Sequence, residues 1–241
     1  MDASGALMQT GALVAGYGNS TVISGVDFVA RRGEITVIVG PNGSGKSTLL
    51  KSLFGLCSVH SGSVEYAGRD ITRMEPHEIA RAGVAYLPQV KNVFTNLSVR
   101  ENLVMAGYTL GEGEARGRAD GAMRTFPALA RHAGGRAESL SGGERQMLAM
   151  GMALVRRPDV MLFDEPTANL SPRLAGEVIA KVREMRDSFG ITVVLVEQNV
   201  RRALEVGDAV TVLANGSVAF AGAPDGLRGR ADLCRLYLGM R

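Results

Sequence analysis

The stretch Gly40-Pro41-Asn42-Gly43-Ser44-Gly45-Lys46-Ser47-Thr48 constrains this chain more than any other part of it. An apolar, β-rich run, Ile35-Thr36-Val37-Ile38-Val39, leads in, and a helix-like run from Thr48 to Phe54 leads out. The glycines must therefore sit between a buried strand and a helix start. Glycine lets the backbone curl with its N–H groups turned inward, and the helix start adds unpaired donors and the positive end of its dipole. That is a cradle for a polyphosphate. Lys46 is expected to reach the β- and γ-phosphate oxygens, and the Ser47 hydroxyl to ligate the Mg2+ that bridges them.

A second apolar run, Val160-Met161-Leu162-Phe163, reads as a parallel strand buried on both faces, with Asp164 and Glu165 at its carboxyl end. Ligand-binding residues gather at that edge of an α/β sheet. Asp164 is expected to hold Mg2+, directly or through water, and Glu165 to face the γ-phosphate as base or water-positioning group. Acids that only cap the next element are the competing reading. Val84 to Leu87 reads as a buried strand ending at Pro88-Gln89, and Thr192 to Val196 as the last sheet strand, ending at Glu197-Gln198. Asn215-Gly216 between two apolar runs predicts a hairpin, and a short helix is expected over Asp232 to Leu238.

Around this core the patterns change. Thr21-Val22-Ile23, Val26 to Val29 and Gly62 to Asp70 read as short antiparallel pieces, with a turn at Arg32-Gly33. Tyr17, in a Gly16-Tyr17-Gly18 loop, is an aromatic on which an adenine would stack, or one that simply packs. From Leu97 the chain turns helical: Ser98 and Glu101 form a capping box, and so do Ser141 and Glu144. Gly142 and Gly143 leave the second helix start sterically open, which makes it either another anion site or only a well-capped helix. Residues 111–122 are charged, glycine-rich and poor in large apolar side chains, and are expected to be mobile or peripheral.

Length and charge narrow the function classes. The 241 residues suit one α/β domain. The 27 basic and 24 acidic residues are scattered, with no basic arm for nucleic acid. Cys57 and Cys234 have no metal-ligand spacing, and no apolar run approaches the roughly 20 residues of a membrane span. The acidic start of the chain does not read as a secretory signal, so a cytoplasmic location is expected.

The loop at Gly40 to Thr48, Gln89, Leu140-Ser141-Gly142-Gly143-Glu144-Arg145-Gln146 and Phe163-Asp164-Glu165, in that order, resemble the nucleotide-binding subunit of an ABC transporter. The resemblance implies a P-loop NTPase core with a mostly parallel sheet, an N-terminal antiparallel β subdomain and a helical signature subdomain. It implies one domain over residues 1–241, with residues 97–155 or so inserted in a RecA-like core. ATP and Mg2+ would be the ligands. Tyr17 would stack on adenine, and Gln89 would ligate Mg2+ and sense the membrane partner. Two chains, identical or different, would pair head to tail, with Ser141 and Gly143 of one gripping the γ-phosphate held by Lys46 of the other. Two polytopic permease subunits and a periplasmic or lipid-anchored substrate-binding protein would complete the assembly at the cytoplasmic face of the membrane, with no nucleic acid involved.

Gly16-Tyr17-Gly18, Pro88-Gln89, Val99 to Leu103, Leu170-Ser171-Pro172 and Leu195 to Asn199 further resemble the smaller ATP-binding subunit for branched-chain amino acid uptake. Importers of urea or short-chain amides use similar subunits. A soluble ATPase of the same superfamily acting on nucleic acid would need a second cassette, a heptad insertion or a basic stripe. Two positions depart from the usual family pattern: Ser171 replaces an Asp, and Gln198 replaces a His.

Overall fold

The computed structural model describes residues 5–90 and 92–230. Two long strands come first, β1 (Ala6–Tyr17) and β2 (Ser20–Arg31), followed by β3 (Ile35–Val39) and α1 (Lys46–Leu53). After them come β4 (Ser58–Tyr66), β5 (Arg69–Asp70), α2 (Pro76–Ala82) and β6 (Val84–Leu87). A helical stretch holds α3 (Val99–Ala106), α4 (Glu112–Thr125), α5 (Pro127–Ala130) and α6 (Gly142–Val155). The chain returns to the sheet through β7 (Val160–Asp164), α7 (Pro172–Phe189), β8 (Thr192–Val196), α8 (Val200–Val206), β9 (Ala209–Ala214) and β10 (Ser217–Gly222), and α9 (Pro224–Arg228) follows. The helix expected over Asp232 to Leu238 lies outside the described residues.

Strands β3, β7 and β8 are buried at every position because each of their faces meets a different layer. Ile35, Val37, Val39, Met161, Phe163, Val193 and Leu195 join the apolar side chains of α3 to α8. Their alternate neighbours Ile38, Val160, Leu162, Val194 and Val196 join α1 and the antiparallel strands. The two-residue period of the strand thus distributes one continuous apolar run between two cores. The six-stranded sheet runs β10-β9-β3-β8-β7-β6, parallel except for β10, and a separate antiparallel sheet runs β2-β1-β4-β5.

Several expectations need correction. Thr21 to Ile23 and Val26 to Val29 are one strand, not two: Gly25 takes φ 63 and the pairing with β1 absorbs it as a register shift rather than a turn. Tyr17 ends β1 and pairs with Ser20 rather than sitting in a free loop. Strand β8 is not the last in the sheet, because β9 pairs parallel with β3 on its other side. From Glu112 onward the stretch at residues 111–122 is a packed helix rather than a loose periphery: Ala115, Ala119, Ala122 and Met123 of α4 are buried against α3, α5 and α6. Pairs Arg116–Glu112 (2.6 Å) and Arg118–Glu114 (2.6 Å) lace its outer face. An alanine stripe buries a close helix contact without the large side chains that composition-based reading looks for.

Both capping boxes form. Ser98 accepts from the Glu101 N–H (3.1 Å) while Glu101 Oε2 accepts from the Ser98 N–H (2.7 Å). Beside this start the buried Asn102 staples the incoming loop: its Nδ2 donates to Phe94 O (2.9 Å) and Ser98 O (2.9 Å), and its Oδ1 accepts from Phe94 N (2.8 Å). Asn102→Ala leaves the Phe94 N–H without its acceptor, whereas Phe94 O and Ser98 O keep the bonds they accept from the backbone N–H groups of positions 97 and 102; the orphaned donor costs about 1–3 kcal/mol where it stays buried. A urea titration is expected to show the midpoint lowered with the slope unchanged.

Candidate active site

Strand β3 cannot continue past Val39, because Gly40 (φ 150) and Gly45 (φ 98) take left-handed backbone conformations that favour glycine. A Cβ at Gly40 would stand 2.1 Å from Leu213 O, and one at Gly45 would stand 2.5 Å from Ile23 Cγ2. The loop therefore closes tightly onto β9 and β2. Gly45 caps α1 without a side-chain bond, so the first N–H groups of that helix remain open donors. Pro41, Asn42 and Gly43 form the exposed rim, while Ser44 and Thr48 are buried.

Lys46 begins α1 with its ammonium buried, donating to Gly40 O (2.9 Å) and Pro41 O (2.8 Å). Burial holds its pKa below the usual lysine value, and the negative charges of Glu165 and Asp164 only partly oppose this. Ser44 Oγ is buried with no hydrogen-bond partner among the described residues. An orphaned hydroxyl, an uncapped helix start and a desolvated ammonium in one glycine loop fit a polyphosphate.

The carboxylates arrive from β7. Asp164 is buried; its Oδ1 accepts from Ser47 Oγ (2.8 Å) and its Oδ2 from the Tyr86 hydroxyl (3.2 Å). Burial, then the Asp164 charge, raises the Tyr86 pKa well above its ordinary value, so this phenol stays a donor. Glu165 turns the chain with φ 49, a conformation that costs a side-chain-bearing residue on the order of 1–3 kcal/mol. Its N–H donates to Val196 O (3.0 Å), and its Oε2 accepts from Gln198 Nε2 (2.8 Å) and Gln89 Nε2 (3.2 Å).

The carboxyl ends of β3, β6, β7 and β8 thus bring together Lys46, Ser47, Gln89, Asp164, Glu165 and Gln198. Tyr17 stands exposed beside them, with Lys51 Nζ of α1 5.6 Å from its ring centre. Ser141, Gly142 and Gly143 are elsewhere. Helix α6 packs on α3, α4, α5, α7 and β6, whereas α1 packs on β1, β2, β4, β7 and β8. Ser141 Oγ accepts from the Glu144 N–H (3.3 Å), while the Ser141 hydroxyl (2.7 Å) and N–H (3.0 Å) both donate to Glu144 Oε2 and hold that carboxyl below its usual pKa. Gly143 lies under Leu174, where a Cβ would come within 3.1 Å of Leu174 Cδ2.

Sequence reasoning assigned no role to Tyr86, Thr167 or Glu197. Tyr86 gives only a weak signal, an aromatic one position from the end of β6. The acid after β8 was visible at Glu197, but its partner Thr167 lies 30 residues away, so nothing local revealed the pair.

The sequence model of the ABC transporter family matches residues 23–168, more than half of the chain. The chain is 47% identical, over 97% of its length and 99% of the relative's, to a protein of Archaeoglobus fulgidus named "Probable branched-chain amino acid transport ATP-binding protein LivF". It is 37% identical, over 84% of its length and 86% of the relative's, to the high-affinity branched-chain amino acid transport ATP-binding protein BraG of Pseudomonas aeruginosa. Among solved structures, an ATP-binding cassette of an ABC transporter in its ADP conformation superposes with a TM-score of 0.87 at 26% identity, covering 95% of this chain and 97% of the other. A nucleotide-free cassette superposes at 0.84 and 26% identity, covering 93% and 94%. On the family match and this identity along nearly its whole length, the chain belongs to the ABC transporter family, as one of its ATP-binding subunits.

Proposed function

We propose that this chain hydrolyses ATP to drive an importer of branched-chain amino acids, acting from the cytoplasmic face of the membrane on separate permease subunits. The observation that carries the catalytic part is the convergence of Lys46, Ser47, Asp164 and Glu165 at one sheet edge. The cargo rests on the two relatives named for branched-chain amino acid transport.

Each residue has a task in this reading. The loop from Gly40 to Thr48 wraps the phosphates, and Lys46 exchanges its two carbonyl partners for phosphate oxygens. Ser47, Asp164 and the Gln89 amide would hold Mg2+, which when bound neutralises charge across the β- and γ-phosphates. Glu165 orients the attacking water and accepts its proton. Gln89 and Gln198 fix the Glu165 carboxylate from two sides, and the Gln198 amide reports the γ-phosphate without itself titrating. Tyr17 offers its ring to the base.

Among the described residues no helix is long and apolar enough to cross a membrane, and in this reading separate permease subunits form the membrane path. An apolar cleft of about 330 Å³ opens beside Gln89, lined in part by Tyr86, Phe94, Met105 and Tyr108. The last three are exposed large apolar residues, which suits a contact with the permease. Reconstituted with its permeases and periplasmic or lipid-anchored binding protein, the chain is expected to hydrolyse ATP faster with leucine than with urea or acetamide. Stimulation by urea or acetamide instead would reassign the cargo.

In this reading Ser141 and Gly143, which stand on a different helix start from the one that carries Lys46, complete the site of a second ATP-binding subunit, identical or different. Specific activity of the isolated chain is accordingly expected to rise with protein concentration. Activity that stays constant while the protein sediments as a monomer would contradict the shared site.

A further inference from the structure

Glu197 is a carboxylate only 2% exposed, and the hydrolysis scheme above does not use it. It follows β8 directly, between Val196 and Gln198, and its own N–H donates to Ile38 O (3.3 Å) near the end of β3. Both of its oxygens are spent on one residue: Oε1 accepts from the Thr167 N–H (3.3 Å) and Oε2 from the Thr167 hydroxyl (2.9 Å). Burial raises its pKa, and the two bonds from Thr167 oppose the rise.

Thr167 is the centre of the loop that follows the proposed base. That loop is bounded by two left-handed residues, Glu165 (φ 49) and Asn169 (φ 61), and closed by Ala168 N to Glu165 O (3.1 Å) and Leu170 N to Thr167 O (3.2 Å). Neither flanking residue is glycine, so the surroundings must hold this conformation. The main anchors to the sheet are Glu165 N on Val196 O and the paired bonds of Thr167 to Glu197. Desolvating a carboxylate is costly, and doing so for one threonine makes sense where the position of the loop matters.

We propose that Glu197 is a positioning residue for ATP hydrolysis: its buried carboxylate clamps Thr167 and so fixes the turn that aims Glu165, locking it to the end of β8 that carries Gln198. The proposal rests on the reading of Glu165 as the base. Sub-ångström placement of such a group matters, since a displacement of about 1 Å can cost up to roughly 100-fold in rate.

The test is steady-state hydrolysis by the full chain, with ATP affinity from a fluorescent analogue and melting temperature measured alongside. Glu197→Ala is expected to lower kcat by roughly 10- to 100-fold with KM and ATP affinity unchanged, well below the melting temperature. Glu197→Gln is expected to recover most of the rate, because its carbonyl still accepts from the Thr167 N–H and its NH2 can donate to the hydroxyl. Thr167→Val, which keeps shape but loses the hydroxyl, is expected to lower kcat less, and to add little on top of Glu197→Ala. Should Glu197→Ala fail to fold, the Gln and Val variants decide the matter by their kcat. A normal kcat in Thr167→Val together with loss in Glu197→Gln would overturn the clamp, as would a normal kcat in every folded variant. Glu165→Gln run beside them separates the two readings: if it is inactive and the clamp variants are normal, only the clamp fails. If it turns over normally, the base is elsewhere and the aim of the clamp falls with it.

Discussion

Glu165→Gln is expected to slow ATP hydrolysis by roughly 10²–10⁴ while ATP still binds, the loss that removing a general base produces. The substitution is close to isosteric, and with its carbonyl oxygen in the place of Oε2 the amide can still accept from both Gln198 and Gln89. Lys46, Ser47 and Asp164 keep their places, since their mutual bonds do not pass through Glu165. Product formation is what releases two paired chains in this scheme, so ATP should trap the variant as a dimer. Gel filtration with and without ATP, beside a phosphate-release assay, reads both effects. Turnover near that of the parent would place the base on another residue.

Lys46→Met should fail one step earlier, at binding. The ammonium faces the phosphates in ground and transition states alike, so its loss weakens both. A hydrogen bond to a charged group contributes about 1.5–3 kcal/mol, which corresponds to roughly 10- to 150-fold in ATP affinity. The same substitution is not expected to unfold the protein. Burial keeps the folded-state pKa of Lys46 below its unfolded value, so its charge opposes folding at neutral pH. That opposition fades as pH rises through the lowered pKa. Removing the charge should therefore leave stability at pH 7 unchanged or slightly higher, and calorimetry beside an ATP titration checks the pair of outcomes. Parent-like affinity for ATP would remove Lys46 from the phosphate site.

Much of this molecule is legible without coordinates. The phosphate loop, the apolar strands before Lys46 and Asp164, both capping boxes and the Asn215-Gly216 hairpin follow from interactions between residues a few positions apart. A glycine with positive φ, a serine three residues before a glutamate, or an unbroken apolar run has the same local consequence wherever the chain goes next. Side-chain chemistry likewise points to Ser47, Asp164 and Glu165 as ligand-facing groups before any distance is known.

Tertiary structure alone decided which of these groups meet. Ser47 and Asp164 are 117 positions apart, Tyr86 and Asp164 are 78 apart, and Gln198 and Glu165 are 33 apart. Each pair is made by the strand order β3-β8-β7-β6, which local propensity does not encode. The same order hides the Glu197 clamp on Thr167. Burial of the small alanines of α4 likewise depends on how closely its neighbours approach, and the sequence of α4 looked too polar and too rich in glycine to pack. The distance in the fold between Ser141 and Lys46 has the same origin: local rules build each helix start, but the sheet and its crossover helices set where the two starts stand.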